Sequence, residues 1–146
     1  MKISTKGRYG IRLMLSLAIN YEKGTLSLKA ISKEQQISEK YLEQIINPLM
    51  KADLVTSFRG AQGGYILSRH PKEITAGEIL RVLEGSLSPV YCVDTPTCPN
   101  SDFCASLTLW KKMKDALDDV VDNTTLDIMA REYLENEVGN RGNIIE

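Results

Sequence analysis

Between residues 4 and 68 the chain runs through three short helix-forming segments and then two β-prone stretches joined by a glycine-rich turn, an order that few small folds satisfy. In the first segment Tyr9, Ile11, Leu13, Met14, Leu17, Ala18 and Tyr21 fall mainly on one helical face, and Gly24 closes it. Ser27 is placed to cap a second helix that buries Leu28 and Ile31 and ends near Gln36. Ser38 caps a third, with Leu42, Ile45, Ile46 and Leu49 at core spacing and Lys40, Glu43, Gln44 and Asn47 on the opposite, polar side. Pro48 lacks an amide donor and disfavours helix at Asn47, so a kink or an end is expected there. Residues 54–59 and 65–68 then read as a hairpin around Gly60-Ala61-Gln62-Gly63-Gly64. A two-stranded hairpin needs helices as packing partners, and helix, turn, helix, hairpin is the winged helix-turn-helix arrangement.

Charge supports a polyanionic partner for this half. Residues 1–70 carry 11 Lys+Arg against 5 Asp+Glu, a net +6, whereas residues 71–146 carry 7 against 14, a net −7. Lys6, Arg8 and Arg12 give the first helix a basic side, either solvated or along a phosphate backbone. A third helix with an exposed polar side suits a major groove. No apolar run approaches the length of a membrane span and Met1-Lys2-Ile3-Ser4 does not open a secretory signal, so a cytoplasmic protein is expected. No catalytic triad, phosphate loop or paired-carboxylate arrangement stands out, and an enzyme is not expected.

Beyond Pro71 a fourth helix is expected over Ile74 to Leu83, capped by Thr75 with Glu78 in its first turn. Composition then changes. Residues 85–106 hold Pro89, Pro96 and Pro99 with little periodicity, and read as a loop that a ligand orders. From Leu107 a helix returns, with Trp110, Met113, Leu117, Val120 and Val121 on its apolar stripe, followed by a short helix starting at Thr124 with Asp127 in the acidic capping position. The expected organisation is mainly α. Residues 1–84 form a winged helix-turn-helix, 85–106 a cysteine-bearing loop and 107–134 a dimerisation helix with a short terminal helix, and 135–146 form a disordered tail.

The only cysteines, Cys92, Cys98 and Cys104, occupy that loop at C-x5-C-x5-C. Three thiols cannot all pair internally, and in a cytosolic chain such a cluster reads as a metal or redox site. Thiolate ligands suit an iron-sulfur cluster or zinc, while metal-free redox thiols and inert cysteines stay open. His70, the one histidine, stands beside Pro71 and reads as a solvated loop residue.

Several short stretches together resemble the Rrf-two family of bacterial winged-helix transcription regulators, in particular its iron-sulfur cluster regulators of the IscR type. They are Ser4-Thr5-Lys6-Gly7-Arg8-Tyr9-Gly10, residues 37–44, residues 55–60 with Gly63-Gly64-Tyr65, Thr75-Ala76-Gly77-Glu78-Ile79 and the three cysteines. The resemblance spans nearly the whole chain. It implies a homodimer on a near-palindromic operator, regulating iron-sulfur cluster assembly genes, as a repressor, in response to cluster status. By the same resemblance Glu43 and Gln44 contact base edges, Arg59 reaches into the minor groove, and Ser38, Lys40 and Tyr41 hold the backbone. Such chemistry is sensible, since glutamate accepts from cytosine N4, glutamine pairs with adenine and arginine favours the negative minor groove.

The resemblance also implies a 2Fe-2S cluster on Cys92, Cys98 and Cys104. The family's usual fourth ligand, a histidine three positions after the last cysteine, is Leu107 here, and Arg8 stands where some relatives place an acidic ligand. Oxygen donors such as Asp94, Asp102, Ser106 or Thr108 remain as candidates. Ordering of the loop is then expected to set the spacing of two recognition helices and so select DNA sites. The competing expectation is a regulator of the same fold serving cysteine metabolism, thiol oxidation or nitric oxide response without an intrinsic cluster.

Overall fold

A computed structural model describes residues 2–95 and 97–143; Pro96, one of the prolines expected to shape the cysteine loop, and residues 144–146 lie outside them. The first helix, α1 (Thr5–Ile19), is capped by Ser4, whose hydroxyl accepts from Gly7 N at 3.2 Å. Ser27 and Ser38 cap α2 (Leu28–Gln35) and α3 (Glu39–Lys51) in the same way. Between them Gln36 takes the left-handed conformation at φ 56°, turning the chain from α2 into α3.

Pro48 lies inside α3, and the helix continues to Lys51 rather than ending there. The hydrogen bond that proline removes would have gone to the Gln44 carbonyl, and Gln44 is exposed, so water can serve that group. Leu42, Ile45, Ile46 and Leu49 are all at most 1% exposed and join Leu13, Met14 and Ile31 in the main core. Their burial on one side fixes the helix against the local preference of Asn47-Pro48.

Strands β1 (Val55–Phe58) and β2 (Gly64–Leu67) pair antiparallel in the register Val55 with Leu67 and Phe58 with Gly64. Leu26 adds a third element, exchanging two backbone hydrogen bonds with Tyr65 at 2.9 and 3.0 Å. The hairpin is therefore tied to the segment before α2 rather than standing alone, which supplies the partner that two strands lack.

Thr75 and Glu78 form a reciprocal capping box at the start of α4 (Ala76–Glu84). This helix packs closely on α1, where a Cβ at Gly10 would collide with Leu83. The cysteine-bearing stretch contains a four-residue helix, α5 (Tyr91–Asp94), and a single 3-10 turn at Ser101–Phe103. Two helices close the chain, α6 (Leu107–Asn123) and α7 (Leu126–Asn143).

Two details of the C-terminal part differ from the sequence expectation. Thr125, not Thr124, caps the last helix, accepting from Ile128 N at 3.2 Å, while the Thr124 hydroxyl donates to the Val120 carbonyl and closes α6. The last helix is also long, running to Asn143 through the stretch expected to be a disordered tail from 135. The stretch has no proline to stop the helix, and Tyr133 donates to Glu137 one turn on, although Gly139 and Gly142 weaken helix locally. Its N-terminal end is anchored, because Leu126 is fully buried within the winged-helix core and its N–H donates to the Ile74 carbonyl at 2.9 Å.

Candidate nucleic-acid interface and cysteine segment

The side chains expected to meet DNA come from two elements. On α3, Lys40, Glu43, Gln44 and Asn47 are exposed, and the opposite side of the helix is buried. Ser38 spends its hydroxyl lone pair on Tyr41 N, leaving its O–H free to donate. Tyr41 is half-buried, its ring edge-on to Tyr9 with centroids 5.7 Å apart, so its position is fixed by α1. Arg59 is exposed at the first position of the wing turn. Among the described residues Lys40, Glu43 and Arg59 take part in no ion pair, so their charges are uncommitted within the protomer.

The wing turn is tight. Gly63 N donates to the Gly60 carbonyl at 3.0 Å, and a Cβ at Gly63 would collide with the Phe58 carbonyl oxygen. Thr25 adds a strut that sequence reading missed, its hydroxyl donating to the Gln62 carbonyl at 2.8 Å. Thr25 and Leu26 are only two residues between Gly24 and the Ser27 cap, too short a run to show a strand period.

The three cations of α1 part company. Arg8 is exposed and reaches Thr5 at 3.3 Å, whereas Arg12 is half-buried and donates to the Gln35 side chain and carbonyl. Arg12 is thus drawn into the fold, and Lys6 and Arg8 remain for a basic side.

In the cysteine segment Cys92 and Cys104 are half-buried and Cys98 is exposed, all three as free thiols. Cys104 Sγ lies 3.2 Å from the Ser106 hydroxyl, which holds this thiol below its ordinary range with help from the Ser106 and Leu107 backbone. Asp94 is occupied by the hydroxyls of Ser86 and Ser88, and those two bonds hold its carboxyl below the usual carboxylate range. Leu107 offers no donor at the first position of α6. His70 is a cap, its Nδ1 accepting from Lys72 N at 3.1 Å and its ring edge-on to Tyr21 at 5.1 Å. Among the described residues no three His, Cys, Asp or Glu side chains converge to hold a metal ion.

The family model described as Rrf2, an iron-dependent transcriptional regulator, matches residues 3–132. The chain belongs to the Rrf2 family. Within Rrf2, it is 47% identical over 137 residues to the HTH-type transcriptional regulator CymR of Bacillus subtilis, covering 94% of each chain. It superposes on the structure of that protein, described as the global cysteine regulator, with a TM-score of 0.79 over 90% of this chain and 98% of that one. Likeness to IscR proteins is also present. Identity to IscR of Pectobacterium atrosepticum is 37%, over 87% of this chain and 77% of that one, and the T. potens IscR structure is 44% identical with a TM-score of 0.76, covering 91% and 88%. The Rrf2 winged helix and its place among DNA-binding transcription regulators therefore stand, while the narrower resemblance to IscR is not favoured over CymR. Among the described residues no helix is long and apolar enough to cross a membrane.

Proposed function

We propose that this Rrf2 protein is a cytoplasmic, homodimeric repressor that reads a near-palindromic operator and serves cysteine or thiol metabolism without an intrinsic cluster. The observation that carries its DNA-binding half is the row Lys40, Glu43, Gln44 and Asn47, exposed on a capped helix whose other side is locked in the core. Glu43 and Gln44 are suited to base edges, Arg59 to the minor groove, and Ser38, Lys40 and Tyr41 to phosphates. Phosphate contacts make such binding fall with salt. The metabolic half draws on the likeness to CymR.

Dimerisation is supported by α6. Leu109, Met113, Ala116 and Val120 are exposed at alternating spacings of four and three, so that Leu109 and Ala116, and Met113 and Val120, stand one heptad apart. A second α6 would bury this seam, and two-fold symmetry then supplies two recognition helices for successive grooves.

A second reading, an iron-sulfur regulator with a 2Fe-2S cluster on Cys92, Cys98 and Cys104, is favoured by the C-x5-C-x5-C spacing and the 44% identity to T. potens IscR. Oxygen-free purification with an absorption spectrum and iron and sulfide analysis, on wild type and Cys92→Ala, separates the two. A colourless, iron-free dimer with salt-sensitive affinity for duplex DNA is the expected product. A brown wild type and a bleached C92A would overturn the cluster-free reading and leave the DNA-binding one intact, and a monomer without affinity for duplexes would overturn both.

A further inference from the structure

Arg12 holds the end of α2 directly and is linked to the start of α3 through Tyr9. Gln35 is the last residue of α2, and helix geometry leaves its carbonyl without an intrahelical donor. The Arg12 guanidinium donates to that carbonyl and, through Nε at 2.9 Å, to the Gln35 side-chain oxygen. The Gln35 amide nitrogen in turn donates to Ser16 Oγ at 2.9 Å and to Glu34 Oε1 at 3.1 Å. Ser16 is 3% exposed and Arg12 and Gln35 are half-buried, so the network runs from the α1–α2 junction out to the exposed Glu34. The guanidinium also lies 5.2 Å from the ring centre of Tyr9, one turn back on α1, and Tyr9 meets Tyr41 edge-on in the first turn of α3.

Buried Ile31, Ile37 and Leu42 hold the α2–α3 segment in the core, and the hydrogen bonds of Arg12 add a directional constraint at the end of α2. A planar guanidinium can satisfy two acceptors and a ring face at once, which an ammonium cannot. We infer that Arg12 is a positioning residue for DNA recognition, holding the end of α2 and the start of α3 at the angle at which the α3 polar row meets the major groove, and is not a phosphate contact. The inference rests on the DNA-binding reading above and deepens it.

The test uses the full-length dimer, the duplex that wild type selects from a random library, and a scrambled duplex of equal length. Arg12→Lys, Arg12→Gln and Gln35→Ala are each expected to lower affinity for the selected duplex about tenfold, with the R12Q/Q35A double variant no weaker than the weaker single. Affinity for the scrambled duplex and the slope of log K against log salt are expected to stay at wild-type values. Thermal melting of each variant establishes that it is folded at the assay temperature, and Q35A carries the test if R12Q is not. An R12K at wild-type affinity together with an R12Q slope shallower by about 0.9 per lost contact would make Arg12 a phosphate contact and overturn the inference. An unchanged ratio of selected to scrambled affinity in folded R12Q and Q35A would overturn it too. Wild type without salt-sensitive binding defeats the underlying DNA reading instead, so the two failures are distinguishable.

Discussion

Ser4 gives Glu84 two hydrogen bonds on one oxygen, from its backbone N–H at 3.0 Å and its hydroxyl at 2.5 Å, joining the start of α1 to the end of α4. The same hydroxyl caps α1 by accepting from Gly7 N. Ser4→Ala removes the cap and one Glu84 donor together, and loss of a cap costs about 1 kcal/mol. A fall in Tm of about 2–4 °C is expected by calorimetry, with Ser4→Thr recovering most of it.

Gly63→Ala places a methyl group against the Phe58 carbonyl at the neck of the wing. The turn must open, and Arg59 moves with it. Because the helical core is untouched, Tm is expected to change by no more than about 3 °C while affinity for the selected duplex falls about tenfold, read by calorimetry and fluorescence anisotropy. An unchanged affinity would remove the wing from the interface.

A carboxylate near phosphates costs affinity unless it finds a donor, so Glu43 is expected to act as a discriminator. Glu43→Ala should bind the selected duplex within a few-fold of wild type and lose discrimination of about 10- to 100-fold at one base pair of each half-site. Library selection on the variant checks this, and an unchanged motif would assign Glu43 to solvent.

Acid should loosen the joint between α4 and α6. Lys114 and then Arg81 hold the Asp118 carboxyl below its ordinary range against the opposing effect of burial, with Arg81 2.7 Å from Asp118 and also bound to Asp122. Burial pushes Glu78 up, but its hydrogen bonds from Thr75 N and Arg69 outweigh that and bring it down. Groups with depressed folded values add stability above their unfolded pKa, near 4, and that stability is lost as pH falls through the lower folded value. Tm is therefore expected to drop as pH falls below about 4, and Asp118→Asn to flatten that limb while lowering Tm at neutral pH.

The elements that the sequence made legible are those closed by local chemistry. Ser27, Ser38 and the Thr75–Glu78 box each stop or start a helix within four residues of themselves, and the apolar side of α3 repeats at helical spacing. Hence the winged helix and the exposed row of α3 could be read directly. Leu26 as a third edge for the wing, Arg12 as a brace and Leu126 as a core residue all depend on partners 23 to 52 positions away, which periodicity does not report. The path of the cysteine stretch was not legible, because a segment without periodicity takes its course from contacts such as those of Ser86 and Ser88 with Asp94 and of Cys104 with Ser106.

Thr75, which opens α4, and Thr125, which opens α7, bridge each other, with Ala76 N donating to the Thr124 carbonyl at 2.8 Å and Leu126 N to the Ile74 carbonyl at 2.9 Å. Residues 76–124 are thus a lasso drawn shut at its neck, with Leu126 as the toggle. Cutting the chain anywhere before that toggle opens its socket to water, so a fragment ending there is expected to melt below the full chain. Any pull exerted through the lasso arrives first at the neck, where Thr75 also opens the capping box of α4.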